Sequence, residues 1–180
     1  MQRRGEFIVY EYLRSTIFEY KKKYFIIQEC QQGRLLNPQH GNSQRGADFA
    51  ALATIFNANN ANADELGDAI LSALEKFDTE PHPFDDFDFS SRNKYIKKWM
   101  GARGIKEWET NQRVVDVIYK IVEDKYIIRP YANHTINPWI GPEGMPEFIL
   151  QGDISAKEMG NTVLRAFQIA TYNPNRTDPR

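Results

Sequence analysis

Three histidines are the first residues of this 180-residue chain to consider for catalysis or metal binding. His40, His82 and His134 are far apart, and none lies in an H-E-x-x-H motif or beside a cysteine. Zinc-binding motifs pair such ligands at short, fixed spacings. The sequence therefore predicts no metal site and no catalytic residues. A hydrolase that combines a loop histidine with acids from residues 78–88 is an alternative.

The other reactive residue types form no stronger motif. Cys30 is the only cysteine, so no internal disulfide can form, and its context "IIQECQQG" favours a structural role. The chain has no G-x-S-x-G, Walker or kinase motif. The acid pairs Asp85–Asp86 and Glu123–Asp124 fall in a Pro-bounded loop and at a hairpin tip, where carboxylates are usually solvated. We expect no enzyme and no cofactor.

One segment stands out by its composition, "DTEPHPFDDFDF" at residues 78–89. Acidic residues alternate there with phenylalanines. At protein interfaces aromatic side chains become buried, and acids orient a basic partner. The segment is a candidate protein-binding surface; the competing interpretation is a solvated linker whose phenylalanines pack on the core. The candidate contact residues are Asp78, Glu80, Phe84, Asp85, Asp86, Phe87 and Asp88.

Aromatic residues also stand beside basic ones in "YKKKYF" and "KYIIRPY". Such residues can stack on bases and contact phosphates, as in proteins that bind single-stranded nucleic acid. Charged residues at the edge of a sheet explain the same pattern. The formal net charge of -1 argues against a nucleic-acid partner, although this function remains the alternative.

The bulk composition is that of one globular domain, residues 1–180. The chain is 41% hydrophobic and 26% charged, which allows a substantial core. No apolar run approaches the ~20 residues that a membrane helix needs. With one cysteine and no apolar leader, we expect a cytoplasmic protein that does not contact a membrane.

The sequence contains two similar helical segments that help to position the candidate residues. "DELGDAILSALEKF" (64–77) and "KEMGNTVLRAFQIA" (157–170) both predict a helix with one apolar face. Asn62 and Ser155 each precede a glutamate by three residues, which is typical of a helix start. Gly67 and Gly160 occupy matching places, where close backbone packing is the favoured explanation.

Segments rich in Tyr, Phe, Ile and Val precede both helices and predict strands, although the apolar spacing of the first, at residues 6–20, also suits a helix. We therefore predict an α+β fold of two similar halves, each a small antiparallel β-sheet followed by a helix, in a possibly Whirly-like arrangement. A middle helix over "SSRNKYIKKWM" separates the halves. The predicted division is a first half at 1–77, a linker and middle helix at 78–112, a second half at 113–172 and a tail at 173–180.

The paired helices "LGDAILSAL" and "MGNTVLRAF", with "YIKKWMGARGIK" between them, resemble the immunity proteins of bacterial contact-dependent growth inhibition (CDI) systems. The resemblance extends from Lys21 to Tyr172. Met159 and Phe167 stand where leucine is usual, and both keep an apolar side chain. The matching positions are Leu66, Gly67, Ala69, Ala73, Leu74, Trp99, Gly160 and Ala166.

The resemblance implies a protein that binds the C-terminal toxin domain of its own CDI system, as a 1:1 heterodimer, and neutralises it. Such toxins are often nucleases. The implied mechanism is steric, because the bound protein covers the toxin's active site or substrate groove. It implies no turnover, no cofactor and no direct contact with nucleic acid.

Overall fold

The structure, a computed structural model, describes residues 10–32, 48–79, 89–133 and 145–177. The described strands are Tyr10–Tyr20 (β1), Lys23–Gln32 (β2), Asp48–Asn57 (β3), Gln112–Lys120 (β4), Lys125–Pro130 (β5) and Phe148–Gln151 (β6). The described helices are Ala63–Thr79 (α1), Phe89–Met100 (α2), Ile105–Thr110 (α3) and Ala156–Ile169 (α4). The α+β class predicted from the sequence is confirmed.

The described strands form one antiparallel sheet in the order β3-β2-β1-β4-β5-β6. Each of α1 and α4 follows a run of three strands in the chain. The two runs meet where β1 pairs with β4, with Ser15 opposite Val117. The sequence predicted a separate small sheet for each half. The structure differs because β1 and β4 pair along their length and join the two runs into one sheet.

Both faces of the central strands are covered by helices. Ile17 and Ile26 belong to the core that includes α1 and α4, while their neighbours Phe18 and Phe25 belong to a second core with α2 and α3. Successive strand residues point to opposite faces, so a strand buried on both faces is apolar at consecutive positions. This explains why the strand segments show poor alternation in the sequence.

The two predicted helices, α1 and α4, cross at Gly67 and Gly160, where their backbones are in contact. A Cβ atom on Gly67 would lie 1.7 Å from the carbonyl oxygen of Ala156, and one on Gly160 would lie 1.8 Å from that of Ala63. Each glycine therefore packs directly on the first turn of the other helix. The prediction that both glycines serve close backbone packing is confirmed.

The helix starts also agree with the sequence. The Ser155 hydroxyl accepts a hydrogen bond from the Glu158 N–H at 3.2 Å, as predicted for α4. At the start of α1, the Asn62 side chain accepts instead from the N–H of Asp64, at 2.9 Å. Both contacts satisfy an N–H that the first turn of a helix leaves unpaired.

The predicted linker at 78–112 contains more helix than expected. The helix α1 continues to Thr79, so Asp78 lies in a helix and not in a linker. The sequence analysis did not find α3. Gly104 precedes it and provides no side-chain cap bond, so the usual start signal is missing. Burial of Trp108, which contacts Phe18 at a ring-centroid distance of 5.8 Å, fixes this short helix against the sheet.

Candidate functional site

The predicted contact residues occur at and after the end of α1. Asp78 lies in the last turn of this helix. The other six, Glu80, Phe84, Asp85, Asp86, Phe87 and Asp88, lie outside the described residues. Their role in binding stays a prediction. The structure does describe the surface along the preceding turns of α1.

A cavity of about 360 Å³ opens beside these turns. Its walls come from β1, α1, the β4–β5 hairpin and the turn between β6 and α4. The cavity thus gathers side chains that are remote in sequence. The lining residues are Leu13, Leu71, Leu74, Glu75, Tyr119, Tyr126, Gly152, Asp153 and Ile154.

Two stacked tyrosines form one wall of the cavity. Tyr119 and Tyr126 are paired across β4 and β5, and their ring centroids are 4.6 Å apart. The Tyr119 hydroxyl donates a hydrogen bond to Asp124 Oδ1 at 3.0 Å. This bond and the stacking restrict the rotation of both rings, so the aromatic wall has a defined shape.

Two turns with positive φ angles position the mouth of the cavity. Asp124, in the turn between β4 and β5, has a φ of 45°, and Gly152 has a φ of 78°. The Gly152 N–H donates to the Asp124 carbonyl oxygen at 3.1 Å. A left-handed backbone suits glycine because it has no Cβ. The contact docks the turn after β6 on the β4–β5 turn and brings Asp153 to the cavity.

Two carboxylates belong to the described lining of the cavity. Glu75 and Asp153 are exposed carboxylates, and no lysine or arginine is among the described residues that line the cavity. Burial raises the pKa of the Tyr126 hydroxyl, and the nearby charges of Asp124 and Asp153 raise this pKa further. The charges of Asp124 and Asp153 thus act on the tyrosine that forms the wall.

These groups can bind a ligand by packing and by charge. Leu13 and Leu74 are buried and give the interior an apolar surface. Among the described residues that line the cavity, none is a histidine, a cysteine or a serine. The described lining is thus apolar and aromatic with two carboxylates, which makes the cavity a candidate recognition site.

A group of polar contacts around the Glu107 carboxylate stabilises the fold. Glu107 in α3 accepts hydrogen bonds from the Arg103 N–H at 3.0 Å and from the Tyr20 hydroxyl at 3.2 Å, and its carboxylate lies 3.4 Å from Lys21 Nζ. The pKa of the Glu107 carboxyl is lowered to about 2, and the main cause is the hydrogen bond from the Arg103 backbone N–H. The cluster fastens the β1–β2 turn to α3.

A buried ion pair fastens α4 to the sheet. Arg113 Nε donates to the Glu19 carboxylate at 3.1 Å, across paired positions of β1 and β4. The same guanidinium donates to the Phe167 carbonyl oxygen at 2.7 Å. The Tyr172 hydroxyl donates to the other oxygen of Glu19. These bonds join the sheet, the end of α4 and the following segment.

Potential metal ligands can be compared within the described part of the chain. Within 10–32, 48–79, 89–133 and 145–177, no group of three or more His, Cys, Asp or Glu residues could hold a metal ion. His40, His82 and His134 lie outside these ranges, so the hydrolase alternative is not tested there. No helix in the described part of the chain is both long and apolar enough to cross a membrane.

Sequence reasoning did not identify the cavity. Glu75 and Asp153 are isolated acids on different elements, and nothing in their local sequence joins them. A signal did exist for the tyrosines. Once the hairpin turn is set at residues 121–124, strand pairing places Tyr119 opposite Tyr126.

The sequence matches the family model of CdiI, the CDI immunity proteins, over residues 14–170. The chain therefore belongs to the CDI immunity protein family, and the resemblance stated from its sequence is confirmed. No curated protein matches the sequence.

Two solved structures have a similar fold. One is a protein of unknown function from Neisseria meningitidis, with a TM-score of 0.56 and 15% identity, over 95% of this chain and 100% of that chain. The other is a CdiA-CT/CdiI toxin and immunity complex from Yersinia pseudotuberculosis, with a TM-score of 0.53 and 16% identity, over 91% and 99% of the two chains. At these identities the likeness is one of fold.

Proposed function

We propose that this protein binds the toxin domain of a CDI system and neutralises it. The observation that carries the proposal is the match to the CDI immunity proteins across residues 14–170. One structure of similar fold is a complex of a toxin with its immunity protein. The protein acts in the cytoplasm by binding alone, without turnover.

The proposed partner is a nuclease domain, bound as a 1:1 heterodimer. A nuclease presents a basic surface to its substrate, and an acidic surface on the immunity protein complements it. Bound there, the immunity protein covers the active site or the substrate groove. Inhibition is then steric and stoichiometric.

The proposed contact surface begins in the last turn of α1 and continues along the acidic and aromatic segment. Asp78 lies one helical turn after Glu75, which lines the cavity. Acids on the helix thus lead directly into the acids of the segment. The proposed contacts are Asp78, Glu80, Phe84, Asp85, Asp86, Phe87 and Asp88.

We also propose that residues 1–180 form one domain of two similar halves. The halves are 1–77 and 113–172, with 78–112 between them and a tail at 173–180. The order of three strands and a helix in each half supports the division. So do the matching contacts of Gly67 and Gly160. The Whirly-like arrangement remains a prediction.

Co-purification tests the function. The tagged protein is expressed with the C-terminal toxin domain encoded immediately upstream, and the two are expected to elute as one 1:1 complex. Cells that express the toxin domain should survive only when this protein is also present. Absence of a complex together with undiminished toxicity would remove the proposal. Salt-dependent binding of a labelled oligonucleotide to the protein alone would instead favour the nucleic-acid alternative.

The contact segment is tested by charge reversal. Replacing Asp85, Asp86 and Asp88 with lysine is expected to weaken toxin binding, because like charges then face the basic partner. A matched control reverses the exposed acids Asp64, Glu65 and Asp68, which changes the net charge equally. Equal affinities of the two variants would exclude the segment from the interface.

A further inference from the structure

The cavity beside α1 lies one helical turn before Asp78, where the proposed contact surface begins, and it can hold one large side chain. We propose that it receives a single lysine or arginine side chain of the toxin domain, an inference that rests on the proposed function. Its volume of about 360 Å³ falls at the lower end of the range for ligand pockets.

The interior of the cavity fits the alkyl part of such a side chain. Leu13 and Leu74 are buried, and Leu71 and Ile154 add further apolar wall. Lysine and arginine bury their methylene stems against surfaces of this kind and keep the charged group near water. The stacked rings of Tyr119 and Tyr126 also line the cavity, and aromatic rings attract a cation that lies over a ring face.

The mouth of the cavity fits the charged end. Glu75 in α1 and Asp153 in the turn between β6 and α4 both line the cavity, and both residues are exposed. The Asp124 carboxylate accepts a hydrogen bond of 3.0 Å from the Tyr119 hydroxyl, which places a third acid beside the lining. A cation that enters between these acids gains their attraction, whereas an acidic side chain is repelled.

The site is formed in the unbound protein. The Gly152–Asp124 hydrogen bond of 3.1 Å fixes the turn that carries Asp153, and ring stacking fixes the tyrosines. Binding a side chain in a formed cavity avoids the entropic cost of ordering its walls. A fixed cavity with one kind of charge at its mouth also makes binding selective, because toxins without a cation at this point leave it unfilled.

The test reverses the charges at the mouth. Glu75→Lys with Asp153→Lys is expected to raise the Kd for the toxin domain about 100-fold, mainly through faster dissociation. Glu65→Lys with Asp68→Lys is the matched control, because both acids are exposed and Asp68 shares α1 with Glu75. The control is expected to stay within about 3-fold of the natural protein. Leu71→Trp fills the cavity without changing charge and is expected to weaken binding as well.

Two outcomes distinguish failure of the proposed function from failure of the cavity proposal. If the natural protein does not bind the toxin domain, the proposed function itself fails. If it binds, but the mouth variant and Leu71→Trp bind as tightly as the control, the cavity is not a contact site. Circular dichroism and unfolding curves confirm that each variant is folded before its affinity is compared.

A compensating change on the toxin gives a positive result. Each lysine and arginine of the toxin domain is replaced by glutamate and paired with the mouth variant. One replacement is expected to restore at least about 10-fold in affinity, because it recreates the opposite-charge contact in reverse. No restoration by any of them would overturn the assignment of a basic side chain to this cavity.

Discussion

Gly67 and Gly160 face the backbone of each other's helix at one crossing, and neither has room for a Cβ atom. The added atom would lie 1.7 Å from Ala156 O in one case and 1.8 Å from Ala63 O in the other. Since the obstructing atoms are backbone, no side-chain rotation relieves the clash. The two helices must separate to accept a methyl group at either place.

We expect Gly67→Ala or Gly160→Ala to lower the free energy of unfolding by about 3 kcal/mol or more, because separation of α1 from α4 opens the core. Urea denaturation followed by circular dichroism measures this loss. Gly104→Ser is the control, since a Cβ there meets no atom within 4 Å. Equal stability of Gly67→Ala and the control would show that the helices are not in contact as described.

Arg113 neutralises a buried carboxylate, so its loss should be costly. We expect Arg113→Met to lower the free energy of unfolding by about 3 kcal/mol, because it leaves the charge of Glu19 buried without its partner. Adding Glu19→Gln should recover a large part of this loss, since the uncompensated charge is then removed. Chemical denaturation of the two variants is the measurement; a double variant no more stable than Arg113→Met would contradict the explanation.

Glu107 should make stability depend on pH in the acid range. Its pKa is lowered to about 2 in the folded state, so the ionised carboxylate favours the folded protein. This contribution is complete above the ordinary pKa of about 4.5 and disappears as the pH falls towards 2. The natural protein should therefore exceed Glu107→Gln in stability at pH 6, and the difference should shrink between pH 5 and pH 3.

Glu109 should make stability depend on pH with the opposite sign to Glu107. Burial raises the pKa of its carboxyl, so ionisation favours the unfolded chain and costs stability as the pH rises. Glu109→Gln should then gain stability relative to the natural protein between pH 4 and pH 7. Unfolding midpoints at several pH values measure both variants. Parallel pH profiles for the Glu107 and Glu109 variants would be inconsistent with these assignments.

Lys22 occupies a backbone conformation that suits glycine. Lys21 and Lys22 have φ angles of 48° and 58° in the β1–β2 turn, and such angles strain residues with a Cβ. We expect Lys22→Gly to raise the free energy of unfolding by about 0.5–1 kcal/mol. Lys23→Gly, in the following strand, should lower it. Thermal denaturation distinguishes the two, and a loss of stability in both would refute the argument.

The regular elements could largely be read from the sequence because their signals are local. The start of α4 follows from Ser155 and Glu158, and β4 and β5 follow from two apolar runs around a short turn. The segment that forms β1 was ambiguous, because Leu13 and Ile17 also suit a helix. Burial of both faces of β1 produced that spacing.

The cavity could not be read in this way. Leu13, Glu75 and Asp153 come from three separate regions of the chain, and only the sheet order and the position of α1 bring them together. The acidic segment at 78–89 was conspicuous because its composition is local. Recognition sites that are assembled by packing leave no such trace in the sequence.

The pairing of β1 with β4 also determines when the protein can become functional. Glu19 and Arg113, bonded across these central strands, are 94 residues apart in the chain. During synthesis, β1 emerges early and its free edge must wait for β4, which makes this contact slow to form and leaves a strand exposed to aggregation. A newly made chain can therefore complete its central sheet only after β4, at Gln112–Lys120, has left the ribosome.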